Sequence, residues 1–307
     1  MTYSARRRRR PPRRSRFAVI GALLAVIVLF AALGFGTVAT NAFGAGDLYE
    51  RVVDRIDRVL AGPVPDRSTR PTVDITPPPA TPKPTLPPGA SPSPSPTLPP
   101  RVPVDVAILD DPEADFAHQV DKDWCAPAGV QMTLAALDKA DTSAAFQREL
   151  ASRVREWESF ADSHNGAWGP AAMALALEEY GAPGYEIRAY KSRDDAVRDA
   201  AIAITKTQAP AILLAWRGAH TWVMTGYRAD ADPLIFPDAK MTGAYILDPW
   251  YPWNSSIWGQ SDPPGAFQDW PEMERNFLPW KRPEGKYADR DGKYIILVPT
   301  VVATAGG

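Results

Sequence analysis

The chain carries a single cysteine, Cys125, and three histidines, His118, His164 and His220. One thiol can form no intramolecular disulfide, so Cys125 is either an apolar filler or a nucleophile. Its neighbours favour the nucleophile. The run Asp123-Trp124-Cys125-Ala126-Pro127 has the make-up of a helix start, with Asp as an N-cap and proline tolerated in the first turn. A thiol there sits at the positive end of the helix dipole, which favours the thiolate. A thiolate nucleophile needs a base, and the base needs an orienting group. His220 opens the apolar run His220-Thr-Trp-Val-Met-Thr-Gly-Tyr227, and Asp248 closes Ala244-Tyr-Ile-Leu-Asp248. Adjacent antiparallel strands would bring these two ends together. Gln119 lies six residues before Cys125, close enough for its amide to point at the same carbonyl oxygen. The chemistry implied is acyl transfer through a thioester, with Cys125, His220, Asp248 and Gln119 as its catalytic set. His118 and His164 read as surface residues. One cysteine and three scattered histidines show no metal-ligand spacing, so no metal or other cofactor is expected.

The elements that must position these residues follow from periodicity. Helices are predicted over 126–138, 142–156, 168–180 and 192–205. Strands are predicted over 186–190, 211–216, 221–227, 244–247 and 293–298, where apolar, β-branched and aromatic residues run between Gly, Pro and Asp. Helices precede most strands, which predicts an α+β domain over 104–307 with an antiparallel sheet. Its length suffices for a substantial core.

The order Gln119, Cys125, His220, Asp248 resembles that of the papain-like cysteine peptidases of the C39 and C39-like family. Cys125-Ala-Pro-Ala-Gly-Val-Gln-Met-Thr-Leu resembles their cysteine helix, which typically opens Cys-Gly-Pro. His220-Thr-Trp-Val-Met-Thr-Gly-Tyr resembles their histidine strand, Ile246-Leu-Asp248-Pro249 their Asp-Pro turn, and Trp168-Gly-Pro-Ala-Ala-Met-Ala-Leu-Ala-Leu-Glu-Glu-Tyr-Gly181 a second helix. The resemblance implies a papain-like fold with the cysteine helix packed on the sheet. It also implies Cys125 as nucleophile, His220 as base, Asp248 as its orienter and Gln119 as oxyanion-hole donor. Two positions depart from the family pattern: Ala126 replaces the usual Gly, and Thr221 takes a place often aromatic. The segment after Pro249 follows no pattern of the family. It is rich in Trp and Pro, and reads either as a loop pinned down by its own indoles or as an aromatic wall of a substrate cleft.

The formal charge of −2 conceals an uneven distribution, because eight arginines lie within residues 1–16. The apolar stretch that follows carries no charged residue from Phe17 to Gly46. Its first nineteen residues cover roughly the hydrocarbon thickness of a bilayer. The expectation is a basic cytoplasmic arm over 1–16 and a transmembrane helix over 17–39, with the arginines holding the N-terminus inside and the rest extracytoplasmic. A cleavable signal peptide would normally have an h-region of only about 7–15 residues. Exposed thiols in that compartment usually end in disulfides. The lipid bilayer is thus a partner through 17–39, and no nucleic-acid partner is expected of the basic run. A short amphipathic stalk helix is predicted over 47–61. Residues 63–103 hold 16 of the 33 prolines and read as a disordered linker, with a reach on the order of 130 Å if extended. It is a passive spacer or a segment in contact with the cell wall.

The function expected is that of a single-pass cell-membrane cysteine peptidase acting on a peptide or protein substrate. Two alternatives stay open: an inactive C39-like binding or scaffolding module at the cell surface, and a cell-wall peptide amidase or endopeptidase. The latter branch usually orients its base with a second polar residue such as a downstream histidine, and none follows His220.

Overall fold

A computed structural model of the chain describes residues 56, 70–75, 99–163, 168–282 and 284–302. Residues 64–307 make one compact unit. The expected arm over 1–16 and membrane span over 17–39 lie outside the described residues, as does His164 and, apart from the helical Ile56, the stalk over 47–61. Among the described residues no helix is long and apolar enough to cross a membrane.

A central sheet organises the unit. Its strands are β1 (Thr72–Asp74), β2 (Val104–Ala107), β3 (Tyr185–Tyr190), β4 (Ala211–Leu214), β5 (His220–Ala229), β6 (Met241–Leu247), β9 (Ala266–Asp269) and β10 (Tyr294–Pro299). The order is β1-β3-β10-β4-β5-β6-β9. Strand β5 is long enough to take two partners on one edge, β4 along Thr221 to Met224 and β2 along Gly226 to Ala229. Strands β7 (Asn254–Ser255) and β8 (Gly259–Gln260) form a separate small hairpin.

Two expectations need correction. The sheet is mixed rather than antiparallel, because β1 pairs with β3 in parallel. That strand comes from the proline-rich segment 63–103, so the segment is not a free linker throughout. Specific polar contacts hold it: Lys293 Nζ reaches Asp74 at 2.8 Å, Arg290 Nε donates to Thr72 Oγ1 at 3.1 Å, and Arg70 pairs with Glu178. Strand β2 likewise begins immediately after Pro103.

Both faces of the sheet are covered, as the pleat requires of strands apolar on both sides. Ile295 and Leu297 of β10 face one core with α1 (Cys125–Ala135), α2 (Ala144–Ser152) and α3 (Pro170–Glu179). Ile296 and Val298 face the other with α4 (Arg193–Thr207) and α5 (Trp270–Asn276). Helix α1 is buried from Ala126 through Ala135. A helix apolar all round belongs in the middle of a core, and α1 packs against α2, α3 and β5. Gly129 permits its close approach to β5: a Cβ there would lie 2.3 Å from Thr221 Cγ2.

Candidate active site

Cys125 is the first residue of α1. The residue capping the helix is Trp124, which makes no side-chain cap, and not Asp123 as its residue type suggested. The thiol is free and half-buried. Its Sγ lies 3.9 Å from the Ala219 carbonyl, and the Thr221 hydroxyl donates to it at 3.9 Å. As a first-turn group, the Cys125 N–H has no intrahelical acceptor.

His220 opens β5, where it is bridged to Ala215 across a tight turn. Its ring is buried, and Nε2 lies 2.6 Å from Asp248 Oδ1. Strands β5 and β6 are neighbours in antiparallel register, Val223 opposite Leu247, which places the start of one beside the end of the other. With Nε2 committed to Asp248, Nδ1 is the nitrogen left for the thiol. Burial of the ring works against its charge. The Asp248 carboxylate, by charge and hydrogen bond, and the adjacent Cys125 outweigh that and push His220 up to about 9. Burial likewise raises Asp248, but the charge and hydrogen bond of His220, then the Trp250 N–H and Ser261, hold its carboxyl below the usual carboxylate range. The three side chains singled out in the sequence therefore meet: a half-buried thiol beside a buried imidazole that is hydrogen-bonded to a carboxylate.

Gln119 joins them through the backbone. Its N–H donates to the Pro249 carbonyl at 3.0 Å, tying the loop before α1 to the turn after Asp248. The side chain is fully buried, yet both amide protons go into its own loop, to the carbonyls of Asp121 and Lys122 at 2.8 Å each. Turning the amide over would set Oε1 against two carbonyls, so this orientation is fixed. The Gln119 amide is thus a brace of the loop in this structure, while the Cys125 N–H, in the first turn of α1, has no intrahelical acceptor. A buried neighbour grips the same loop: Gln147 accepts from Val120 N at 2.7 Å and donates to His118 O at 3.1 Å. His118 is half-buried rather than a surface residue. Its ring lies 2.7 Å from the Tyr251 carbonyl through Nδ1, and edge-on to Trp253 with centroids 4.3 Å apart.

Sequence reasoning missed two further members. Ser261 donates to Asp248 Oδ2 at 2.8 Å, and Trp216 lies flat on the His220 ring with centroids 3.8 Å apart and planes 17° apart. Trp258 stacks on Trp216 in turn, at 5.7 Å and 7°. Trp250 and Trp258 of the Trp-rich segment after Pro249 therefore pack around the His220 ring and its Trp216 neighbour. Among the described residues no group of His, Cys, Asp and Glu side chains could hold a metal ion.

No family model matches the chain, and no curated protein matches it. Among solved structures, a double glycine motif protease from an AMS/PCAT transporter, in complex with the leader peptide, is similar at 19% identity. The alignment covers 60% of this chain and 91% of that one, with a TM-score of 0.31. A similarity at that level carries no weight for function, and the reading of the site rests on the geometry above.

Proposed function

We propose that this chain is a papain-like cysteine peptidase, a thiol amide hydrolase of C39-like type. The observation that carries the reading is the buried imidazole held between Cys125 and Asp248, with its charged form favoured. The Cys125 thiolate attacks the amide carbonyl carbon, and the C–N bond breaks as the His220 imidazolium gives its proton to the leaving amine. Neutral His220 then takes a proton from water. The hydroxide attacks the thioester, the acid product leaves, and the thiolate–imidazolium pair returns. The Cys125 N–H is the donor to the oxyanion formed in each step. Membrane anchoring through 17–39 and an extracytoplasmic domain are part of the proposal. They rest on the arginine-flanked apolar run alone.

One observation favours the inactive, scaffolding alternative: the Gln119 amide protons are engaged within the loop. The experiment is iodoacetamide alkylation of the full-length chain against pH, with His220→Asn beside it, followed by a peptide-library cleavage profile. The peptidase reading expects a rate plateau reaching into mildly acidic pH that His220→Asn abolishes. A wild-type profile centred where free thiols titrate, at about 8.5, sinks it.

A further inference from the structure

Two torsions decide whether the base of this site works. One is the rotation of the Asp248 carboxylate and the other that of the His220 ring. Both are sp³–sp² torsions with broad, roughly two-fold wells, so covalent geometry alone holds neither.

The carboxylate is held at both oxygens. Oδ1 accepts from His220 Nε2 at 2.6 Å and from the Trp250 N–H at 2.9 Å, while Oδ2 accepts from Ser261 Oγ at 2.8 Å. Ser261 and Asp248 are both buried, so no bulk water replaces the hydroxyl. The ring is held by its face. The turn between β4 and β5 passes through three successive left-handed residues, Trp216, Arg217 and Gly218, with φ of 50°, 62° and 83°. Such a run is strained for Trp and Arg, and strain of this kind gathers at functional sites. Its result is the Trp216 indole laid against His220. The indole is fixed in turn, since Nε1 donates to Asn276 Oδ1 at 3.0 Å and Asn276 Nδ2 donates to Glu272 Oε1 at 2.9 Å. An aromatic face against an imidazole favours its cationic form.

We propose that Ser261 and Trp216 are positioning residues of the thiol site, Ser261 setting the rotation of the Asp248 carboxylate and Trp216 the plane of the His220 ring. The β7–β8 hairpin links the two supports, with Trp258 stacked on Trp216 and Ser261 immediately after β8. The inference rests on the peptidase reading for its role in turnover, but not for its effect on the imidazole. The titratable groups facing that imidazole are Asp248, just after β6, and Cys125 from α1. Asp262 and Glu272 line the cavity behind Asp248 that Trp216 and Ser261 share.

The test is NMR of the His220 ring in the full-length chain, assigned by loss of its signals in His220→Asn. Ser261→Ala is expected to broaden the Nε2–H resonance or bring it into exchange with water, and Ser261→Thr to restore it. Trp216→Leu is expected to move the imidazole titration down by about one pH unit, and Trp216→Phe by less. On a cleaved peptide, Ser261→Ala should lower kcat by roughly ten- to a hundredfold with KM little changed. An Nε2–H resonance unaltered in Ser261→Ala, together with an unmoved titration in the folded Trp216 variants, overturns the proposal. If Trp216→Leu does not fold, Trp216→Phe and Ser261→Ala decide it. Failure of the alkylation plateau strikes the peptidase reading instead, and the ring signals still report on these two supports.

Discussion

Gly129 and Thr221 touch: any side chain on the glycine would enter the space of the Thr221 Cγ2 methyl, 2.3 Å from where its Cβ would sit. Gly129 is one turn below Cys125 on α1, and Thr221 follows His220 on β5. This contact therefore sets the distance between the Cys125 thiol and the His220 ring. Gly129→Ala should force the helix off the strand. Overpacking of this kind typically costs about 1–3 kcal/mol, and the larger effect should fall on the alkylation profile, with the acidic plateau lost. Thr221→Ser removes the methyl and keeps the hydroxyl that faces Cys125. The double variant should recover both, as read by melting temperature and labelling rate. A double variant no better than Gly129→Ala would place the conflict elsewhere.

Asp248 supplies His220 with both a charge and an acceptor, and two substitutions separate them. Asp248→Asn keeps an oxygen for Nε2 but removes the charge, so the imidazole should fall from about 9 toward its ordinary range. The high-pH limb of kcat/KM should move down with it. Asp248→Ala removes both and leaves a buried ring nitrogen unpaired, so turnover should drop further while Cys125 remains open to alkylation. Equal pH profiles for wild type and Asp248→Asn would show that the charge is not what holds the imidazolium.

Stability should depend on pH in a direction the raised imidazole fixes. A His held above its unfolded value of about 6.5 binds a proton more tightly when folded. Its contribution is full below that value and is lost as pH rises through about 9. Asp248 is shifted the other way, so its contribution is present above the usual carboxylate range and is lost as pH falls through its lowered value. Urea unfolding of wild type and His220→Asn at pH 6, 7.5 and 9.5 should give curves that converge toward high pH. Parallel curves across that range would contradict the raised imidazole.

Gln119→Ala should lower melting temperature and turnover together, because it removes a fully buried side chain whose amide ties the carbonyls of Asp121 and Lys122 into the loop before α1. Gln147→Leu should do the same by releasing His118 and Val120. Loss of kcat alone, by about 10²–10³ with an unchanged melting temperature, would instead mark Gln119 as an oxyanion donor that turns toward substrate.

That Cys125, His220 and Asp248 come together was legible because each marks an element end where the pattern changes. Cys125 precedes a solid apolar run, and His220 and Asp248 bound strands whose periodicity is plain. Their supports were not legible. Ser261 lies in a stretch with no alternation, and nothing local distinguishes it from any loop serine. Trp216 read as the last residue of a strand, whereas it begins a left-handed turn that no non-glycine residue announces. Asp123 has the residue type of a cap but not the position of one, since Trp124 caps α1. Strand β1 was hidden in proline-rich composition. What seats it is contact with Arg290 and Lys293, more than two hundred residues away in the chain.

That small strand bears on the reach of the domain. Seating β1 on β3 and β2 on β5 fixes two separate parts of the proline-rich segment to one sheet. Under the proposed anchoring through 17–39, only the residues before Arg70 would count toward the tether, and loss of the Lys293–Asp74 and Arg290–Thr72 contacts would lengthen it. The effective concentration of a target on the same surface would then turn on three residues of parallel pairing.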